Sequence, residues 1–229
     1  RIAAVTEKLV PVMACFYLVG GLVMLIANIT NLPHAFALIF EGAFNPQAIL
    51  GGAVGIGVRE AMRYGVARGL FSNEAGMGST PHAHAMAKVE KPQDQGVVAM
   101  VCVFIDTFVV LTITALVMIT SGALNVGNMA ANPAAENMAQ VAFSTVFGSF
   151  GNFYVAICLL FFAFSTIIGW YFFGEQNVKY LLGLRWVQSY RVLVLCFLML
   201  GSFLHVTLVW ELADFFNGIM VIPNVIALL

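Results

Sequence analysis

The stretch GLFSNEAGMGSTPHAHAMA, residues 69–87, interrupts a chain that is otherwise mostly apolar. It brings together three glycines, a proline, two histidines and a glutamate, whereas 61% of all residues are hydrophobic and only 9% are charged. In soluble domains about a quarter of the residues are charged, and the mean hydropathy here is +0.95. The composition therefore predicts an all-α membrane protein surrounded by the lipid bilayer. A polar stretch is unusual in such a protein and requires a structural explanation.

Apolar runs long enough to cross the bilayer occur several times along the chain. A transmembrane helix needs about 20 mostly apolar residues. The sequence predicts a multi-pass protein with spans at 9–29, 96–119, 152–173, 191–210 and 215–229, the last of them short. Residues 124–150 are predicted to form an outer loop that contains one short amphipathic helix.

The positions of Lys and Arg predict one further crossing. Basic residues favour the cytoplasmic ends of spans. Here they precede the first span, precede the second, and lie between the third and the fourth, whereas 31–50, 121–151 and 210–217 contain none. The two sides alternate only if residues 31–95 include a complete crossing that ends near Ala87. The quoted stretch would then lie within the membrane.

A polar, glycine-rich stretch at membrane depth predicts a broken helix. In hydrocarbon every backbone amide and carbonyl must be hydrogen-bonded, so irregular backbone is tolerated only against protein or a water-filled cavity. We predict that residues 71–78 are unwound and that Thr80 and Pro81 start the following half-helix. Half-helix ends can hold a substrate carboxylate and coupling ions. A polar loop dipping in from the cytoplasm, or a simple kink, is the alternative.

Several classes of function are not supported by the sequence. The net charge is −1 and the basic residues are scattered, which argues against nucleic-acid binding. The four cysteines lie in apolar runs, and His82 and His84 would point about 200° apart on a helix, so no metal centre is expected. No nucleophile–base pair or phosphate loop is visible, so we expect neither an enzyme nor a cofactor.

Three segments together resemble a known family. RGLFSNEAGMGSTPHAHAMAKV (68–89), FIDTFVVLTITALV (104–117) and FSTIIGWYFFGEQ (164–176) resemble the alanine or glycine:cation symporters, the sodium:alanine symporters of bacterial and archaeal inner membranes. The resemblance implies a fold of the LeuT type, with two inverted repeats of five helices and broken first and sixth helices. The chain starts at Arg1 without a methionine, and we expect a fragment: residues 1–229 would be one transporter domain running from the fifth helix to the tenth, with the N-terminal helices missing.

The resemblance also implies a function. The protein would be a secondary active transporter of the inner membrane that couples entry of a small neutral amino acid, alanine or glycine, to sodium. Its partners would be the amino acid, sodium and the lipid bilayer, with no cofactor other than the coupling ion. A proton-coupled symporter is one alternative. A cation channel, which also uses irregular backbone carbonyls at membrane depth, is a second.

Site residues follow from the same resemblance. Ser165 and Thr166 lie mid-span, with Trp170 one turn below Thr166 on the same face. By resemblance, Ser165 would bind sodium, with Thr166 as the alternative ligand, since a hard cation prefers oxygen ligands. Such hydroxyls often bond only their own helix carbonyls. The implied substrate-binding residues are Phe71, Ser72, Asn73, Gly76, Thr166 and Trp170.

Charged residues inside the apolar chain need partners. Asp106 lies mid-span, and we expect it to pair with Arg59, Arg63 or Arg68. Glu74 is expected to brace the unwound backbone, because a permanent carboxylate beside a substrate carboxylate would repel it. Glu211 and Asp214 are expected in a solvated turn near the outer face.

Overall fold

The regular secondary structure of the described part of the chain is entirely helical. The computed structural model describes residues 2–44, 54–124 and 137–229, and the side chains of 8–42, 62–124 and 137–229. The predicted partner Arg59 therefore lies outside the described side chains. Within these ranges the helices are α1 Ile2–Ala27, α2 Leu32–Phe44, α3 Val54–Ser72, α4 Thr80–His84, α5 Pro92–Thr120, α6 Met138–Phe147, α7 Ser149–Leu182, α8 Val187–Gly201 and α9 Val206–Leu228.

Five described segments are long and apolar enough to cross a membrane, which confirms a multi-pass membrane protein. They are Lys8–Ala27, Pro92–Thr120, Ser149–Leu182, Leu184–Gly201 and Val206–Leu228. Helix α3, whose side chains are described only from residue 62, is not among them. The further crossing inferred for residues 31–95 and the LeuT-type repeat both stay predictions.

The boundary between α8 and α9 differs from the predicted one. Helix α8 ends at Gly201, nine residues before the predicted end of that span, and α9 begins at Val206. His205 precedes α9 in an extended conformation, with φ −67° and ψ 137°. Glu211 and Asp214 consequently lie inside α9, so the prediction of a solvated turn there is wrong. The helix stop is hidden in the sequence because apolar residues flank the Gly201-Ser202 breaker on both sides.

Contacts divide the chain into two compact units. The first comprises Arg1–Arg63 and Val101–Ser165. Its core is built from buried side chains of α1, α5, α6 and α7, among them Met24, Val117, Phe143 and Tyr154. The Tyr154 hydroxyl donates to the Phe16 carbonyl. Helix α6 confirms the short helix predicted within 124–150, of which residues 125–136 lie outside the described ranges.

The first unit contains an irregular turn where the sequence places its mid-span carboxylate. Residues Ile105–Val110 of α5 form a π-helix, a conformation that is rare and often found at functional sites. Asp106 lies in the first turn of this segment and is half-buried. At the other end, Thr114 donates to the Val110 carbonyl at 2.8 Å and bonds the Tyr17 hydroxyl at 2.6 Å, which ties the segment to α1.

The second unit comprises Tyr64–Met100 and Thr166–Leu229 and contains the quoted stretch. Arg68, near the end of α3, binds Asp214 of α9 with both terminal nitrogens of its guanidinium group, at 2.6 and 3.2 Å. The same guanidinium lies 4.2 Å from the ring centroid of Trp210. The carboxylate that Arg68 binds is therefore Asp214, not Asp106, and this contact fixes the end of α3 to α9.

Candidate functional site

The predicted break is present between α3 and α4. Helix α3 ends at Ser72, residues 73–79 are not helical, and α4 resumes at Thr80 with a proline at its start. The predicted unwound segment, 71–78, is thus confirmed with a shift of one or two residues. A proline is favoured there because the first turn of a helix has no use for its missing N–H.

Three residues of the break adopt left-handed backbone conformations. Their φ angles are +50° at Glu74, +77° at Gly76 and +76° at Gly78. Glu74 is the one non-glycine residue with positive φ among the described residues. A side chain at such an angle costs roughly 1–2 kcal/mol. The glycines avoid that cost, so Glu74 needs compensation from its contacts.

The Glu74 carboxylate supplies this compensation. Its Oε2 accepts the Ser79 hydroxyl at 2.6 Å and the Thr80 hydroxyl at 2.9 Å. Ser79 is buried. Hydrogen bonds to a charged acceptor are stronger than neutral ones. The bracing role predicted for Glu74 is confirmed, since the carboxylate spans the break from its first half to the start of α4.

Asn224 of α9 was missed by the sequence interpretation. Its Nδ2 donates to the Gly76 carbonyl at 3.0 Å. A side chain on Gly78 would place its Cβ 2.9 Å from Oδ1 of Asn224, so the absence of a side chain at Gly78 permits this close approach. The available signal was weak: an asparagine directly after Pro223 inside an otherwise apolar helix.

Two cavities adjoin the break within the second unit. The first, called the tryptophan cavity, has a volume of ≈ 420 Å³ and is lined by Met77, Gly78, Ser79, His82, Trp170, Phe173, Gly174, Asn177, Tyr190, Met220, Pro223 and Asn224. The second, called the large cavity, has a volume of ≈ 950 Å³. Its lining includes Asn73, Glu74, Gly76, Glu90 and Asn224.

The tryptophan cavity combines an aromatic wall with backbone of the break. The rings of Trp170 and Phe173 meet edge to face, with centroids 5.9 Å apart. Gly78 and Ser79 contribute the end of the unwound segment. Among the described residues, no Asp, Glu, Lys or Arg lines this cavity, and the polar groups of its lining are amides, hydroxyls, one imidazole and the indole N–H of Trp170.

His82 and His84 diverge as their spacing predicts. Nδ1 of His82 lies 3.1 Å from the Ser79 carbonyl oxygen, and Nε2 lies 3.3 Å from Oδ1 of Asn177 on α7. His84 instead bonds Gln95 on α5, at 2.6 Å from its Nδ1. The two histidines therefore link α4 to two different helices.

The predicted substrate-binding residues separate into groups. Asn73 and Gly76 line the large cavity, and Trp170 lines the tryptophan cavity. The Asn73 amide also donates to the Gly69 carbonyl at 3.0 Å. Phe71 packs edge to face against Trp210, with ring centroids 6.2 Å apart. These residues surround the break without sharing one cavity.

The remaining predicted residues lie outside both cavities. Ser72 is the last residue of α3, and Thr166 is exposed on α7. Ser165 donates to the carbonyl of Phe162 at 3.0 Å and lies 3.8 Å from the sulfur of Met13. The Ser165 hydroxyl therefore donates to a carbonyl of its own helix. This is the alternative to sodium binding that the sequence left open.

Comparison with known proteins agrees with the resemblance in the sequence. The chain matches the model of the sodium:alanine symporter family over residues 1–229. It is 40% identical to a protein of Methanococcus maripaludis named sodium/alanine symporter AgcS, over 100% of this chain and 49% of the relative. It is 37% identical to the sodium/proton-dependent alanine carrier protein of Bacillus sp. strain PS3, over 100% of this chain and 54% of the relative.

A third relative is named for a different substrate, glutamine. The probable sodium/glutamine symporter GlnT of Bacillus subtilis is 38% identical, over 100% of this chain and 46% of the relative. The chain thus spans about half the length of the curated relatives it matches. The family match covers every residue, and the chain belongs to the sodium:alanine symporter family.

Proposed function

We propose that this chain forms the substrate-binding half of a secondary active transporter that couples uptake of a small neutral amino acid to sodium across the inner membrane. The observation that carries the proposal is the break at 73–79, whose Gly78 borders a cavity walled by Trp170. Irregular backbone beside a cavity in a membrane protein offers amides and carbonyls to a solute. The family and the names of two relatives support an amino-acid solute.

The tryptophan cavity suits a zwitterionic amino acid with a small side chain. A zwitterion carries both charges itself, and the cavity wall presents no fixed charge that would unbalance them. Oriented amides, carbonyls and hydroxyls can bind both ends, while the rings of Trp170 and Phe173 cover the apolar side chain. Alanine or glycine is the proposed substrate. A glutamine-sized substrate is the nearest competitor, because one relative is named for it.

Sodium is the proposed coupling ion, with Ser165 as a ligand. The Ser165 hydroxyl donates a hydrogen bond to the Phe162 carbonyl, which leaves the lone pairs of its oxygen available to a cation. Thr166 remains the alternative ligand, one residue further along α7. Sodium requires several such oxygens to replace its water. The remaining ligands would come from other parts of the complete protein.

Proton coupling is the second candidate, and His82 is the observation that favours it. Both ring nitrogens of His82 face oxygen acceptors, the Ser79 carbonyl and Oδ1 of Asn177. The Asn177 amide nitrogen is already directed to the Phe173 carbonyl at 3.0 Å. A neutral imidazole has one N–H, so only the doubly protonated ring donates to both acceptors. A relative named a sodium/proton-dependent alanine carrier protein also supports this candidate.

Uptake into liposomes tests the function and separates the two ions. The full-length protein is reconstituted, and labelled alanine uptake is measured with an inward sodium gradient, with an inward proton gradient, and with neither. Sodium coupling predicts accumulation only with the sodium gradient. Accumulation driven by the proton gradient alone would replace sodium by protons. A folded protein that neither binds nor accumulates alanine, glycine or glutamine would contradict the proposed function.

A further inference from the structure

Asn224 occupies a distinctive place between the two cavities. Gly78 and Asn224 are the two residues common to the linings of the tryptophan cavity and the large cavity. The other lining residues of each cavity belong to that cavity alone. The contact between Gly78, which has no side chain, and the side chain of Asn224 is therefore part of the boundary between the two cavities.

The geometry of this contact is set on both sides. On one side, Nδ2 of Asn224 donates to the Gly76 carbonyl at 3.0 Å. On the other, a Cβ built on Gly78 would lie 2.9, 3.2 and 3.3 Å from Oδ1, Cγ and Cβ of Asn224. The side chain thus lies directly over the Gly78 backbone, and its amide is held there by a hydrogen bond to the break.

We propose that Asn224 is a positioning residue that partitions the two cavities and thereby limits the side chain of the substrate. This inference rests on the proposed function, since it concerns the same amino-acid site. With the partition in place, the space available to a solute beside Trp170 is ≈ 420 Å³. Without it, the space would open into the ≈ 950 Å³ of the large cavity.

Removal of the partition has opposite consequences for small and large substrates. Alanine would lose packing against one wall and would bind beside a carbonyl, that of Gly76, which has lost its donor. A longer neutral side chain would gain room on the side of the large cavity. Alanine would lose contacts, whereas a longer amino acid would gain space. The substitution would therefore change the preference between small and large substrates.

Two substitutions separate the bulk of Asn224 from its hydrogen bond. Asn224→Ala removes both. Asn224→Leu keeps a side chain branched at Cγ, and so keeps the partition, but loses the donor to the Gly76 carbonyl. Asn217→Ala is the matched control, because Asn217 lies two turns earlier on α9 and lines neither cavity.

The experiment measures inhibition of labelled alanine uptake by unlabelled alanine and glutamine in liposomes containing the full-length protein. For Asn224→Ala we expect the ratio of half-inhibitory glutamine to alanine concentrations to fall by about tenfold, equivalent to about 1.4 kcal/mol. For Asn224→Leu we expect weaker alanine binding, with a ratio within about twofold of the wild type, equivalent to about 0.4 kcal/mol. Asn217→Ala should behave as wild type.

The outcomes test the partition by Asn224 separately from the proposed transport of an amino acid. Wild-type uptake together with an unchanged ratio in Asn224→Ala would overturn the partition. Equal shifts in Asn224→Ala and Asn224→Leu would overturn it as well, since the hydrogen bond alone would then account for the effect. If Asn224→Ala does not insert, Asn224→Ser takes its place, removing bulk while keeping a hydroxyl donor. Absence of wild-type binding would overturn the proposed function instead.

Discussion

The Glu74 carboxylate accepts the Ser79 hydroxyl at 2.6 Å, and this bond closes the break upon itself. Glu74 has a left-handed backbone conformation and Ser79 is buried, so the first half of the break is fixed to the start of α4 by a charged acceptor. The break is consequently an ordered segment that is stabilised by hydrogen bonds between its own residues.

Glu74 substitutions should lower stability in a defined order. Alanine and glutamine both keep a Cβ at the strained φ of +50°, so the backbone cost is the same for both. Glu74→Gln keeps an acceptor oxygen but loses the charge, whereas Glu74→Ala loses both hydroxyl partners. We expect a loss of about 1–3 kcal/mol for Glu74→Ala and less for Glu74→Gln. Thermal unfolding of the full-length protein in detergent measures the order, and equal melting temperatures for all three proteins would contradict the bracing role.

Gly76 and Gly78 should differ in how well they tolerate substitution by a residue with a side chain. Nothing lies within 4 Å of a Cβ built on Gly76, so Gly76→Ala meets only the strain of its φ, roughly 1–2 kcal/mol. Gly78→Ala adds a collision with Asn224, and we expect it to weaken alanine binding more. Valine at either position should abolish binding while the protein still inserts. Binding of labelled alanine to purified variants measures this order.

Gly69 provides the control for the glycine series. It lies in α3 with no positive φ and nothing within 4 Å of a built Cβ. Gly69→Ala should therefore keep wild-type affinity, and a helix-interior alanine is favoured over glycine by up to about 1 kcal/mol. Normal alanine affinity in inserted Gly76→Val would show that substrate does not bind at this backbone.

The break itself was predictable because its signals are local. Glycines, a proline and hydroxyl residues within a few positions specify where a helix must stop and restart, and Gly76, Gly78 and Pro81 do so here. Apolar runs of sufficient length likewise located the spans. The π-helical turn at Ile105–Val110 left no comparable signature, since its residues look like those of any apolar span.

The long-range partners of the break could not be read from the sequence. Asn224 and Gly76 are 148 positions apart, and Arg68 and Asp214 are 146 apart. Such pairs depend on how helices pack, which the pattern of one helix does not encode. The same limit applies to the cavities, because Trp170 was placed beside the break by resemblance and its neighbours Asn177 and Tyr190 emerged only from the structure.

Trp170 should control substrate size if it walls the binding site. Trp170→Ala would remove an aromatic wall of the tryptophan cavity, so larger neutral amino acids should compete better or alanine should bind more weakly. Sodium affinity should change only through its coupling to the substrate. Competition of unlabelled amino acids against labelled alanine measures the change. Trp186→Ala is the control, since Trp186 is 52% exposed and lines neither cavity, and equal selectivity in the two variants would return Trp170 to a packing role.

The hydroxyl pair on α7 carries the coupling hypothesis. If Ser165 is a sodium ligand, Ser165→Ala should raise the sodium concentration for half-maximal alanine uptake by an amount equivalent to about 1–3 kcal/mol. Alanine should then bind more weakly at low sodium and recover at saturating sodium, because the two ligands share one coupling free energy. If Thr166 contacts the substrate, Thr166→Ala should leave a defect that sodium does not rescue.

The geometry of Ser165 supplies a matched control for this test. Ser144 of α6 makes the same kind of bond, to the carbonyl three residues earlier at 2.7 Å, so Ser144→Ala reports the effect of losing a serine that bonds only its own helix. We expect Ser144→Ala to keep the wild-type dependence of uptake on sodium. A Ser165→Ala variant that also keeps it would show that the bond from Ser165 to the Phe162 carbonyl is the whole role of that hydroxyl. Sodium would then bind elsewhere in the complete protein, and a shift confined to Thr166→Ala would assign the ligand to Thr166.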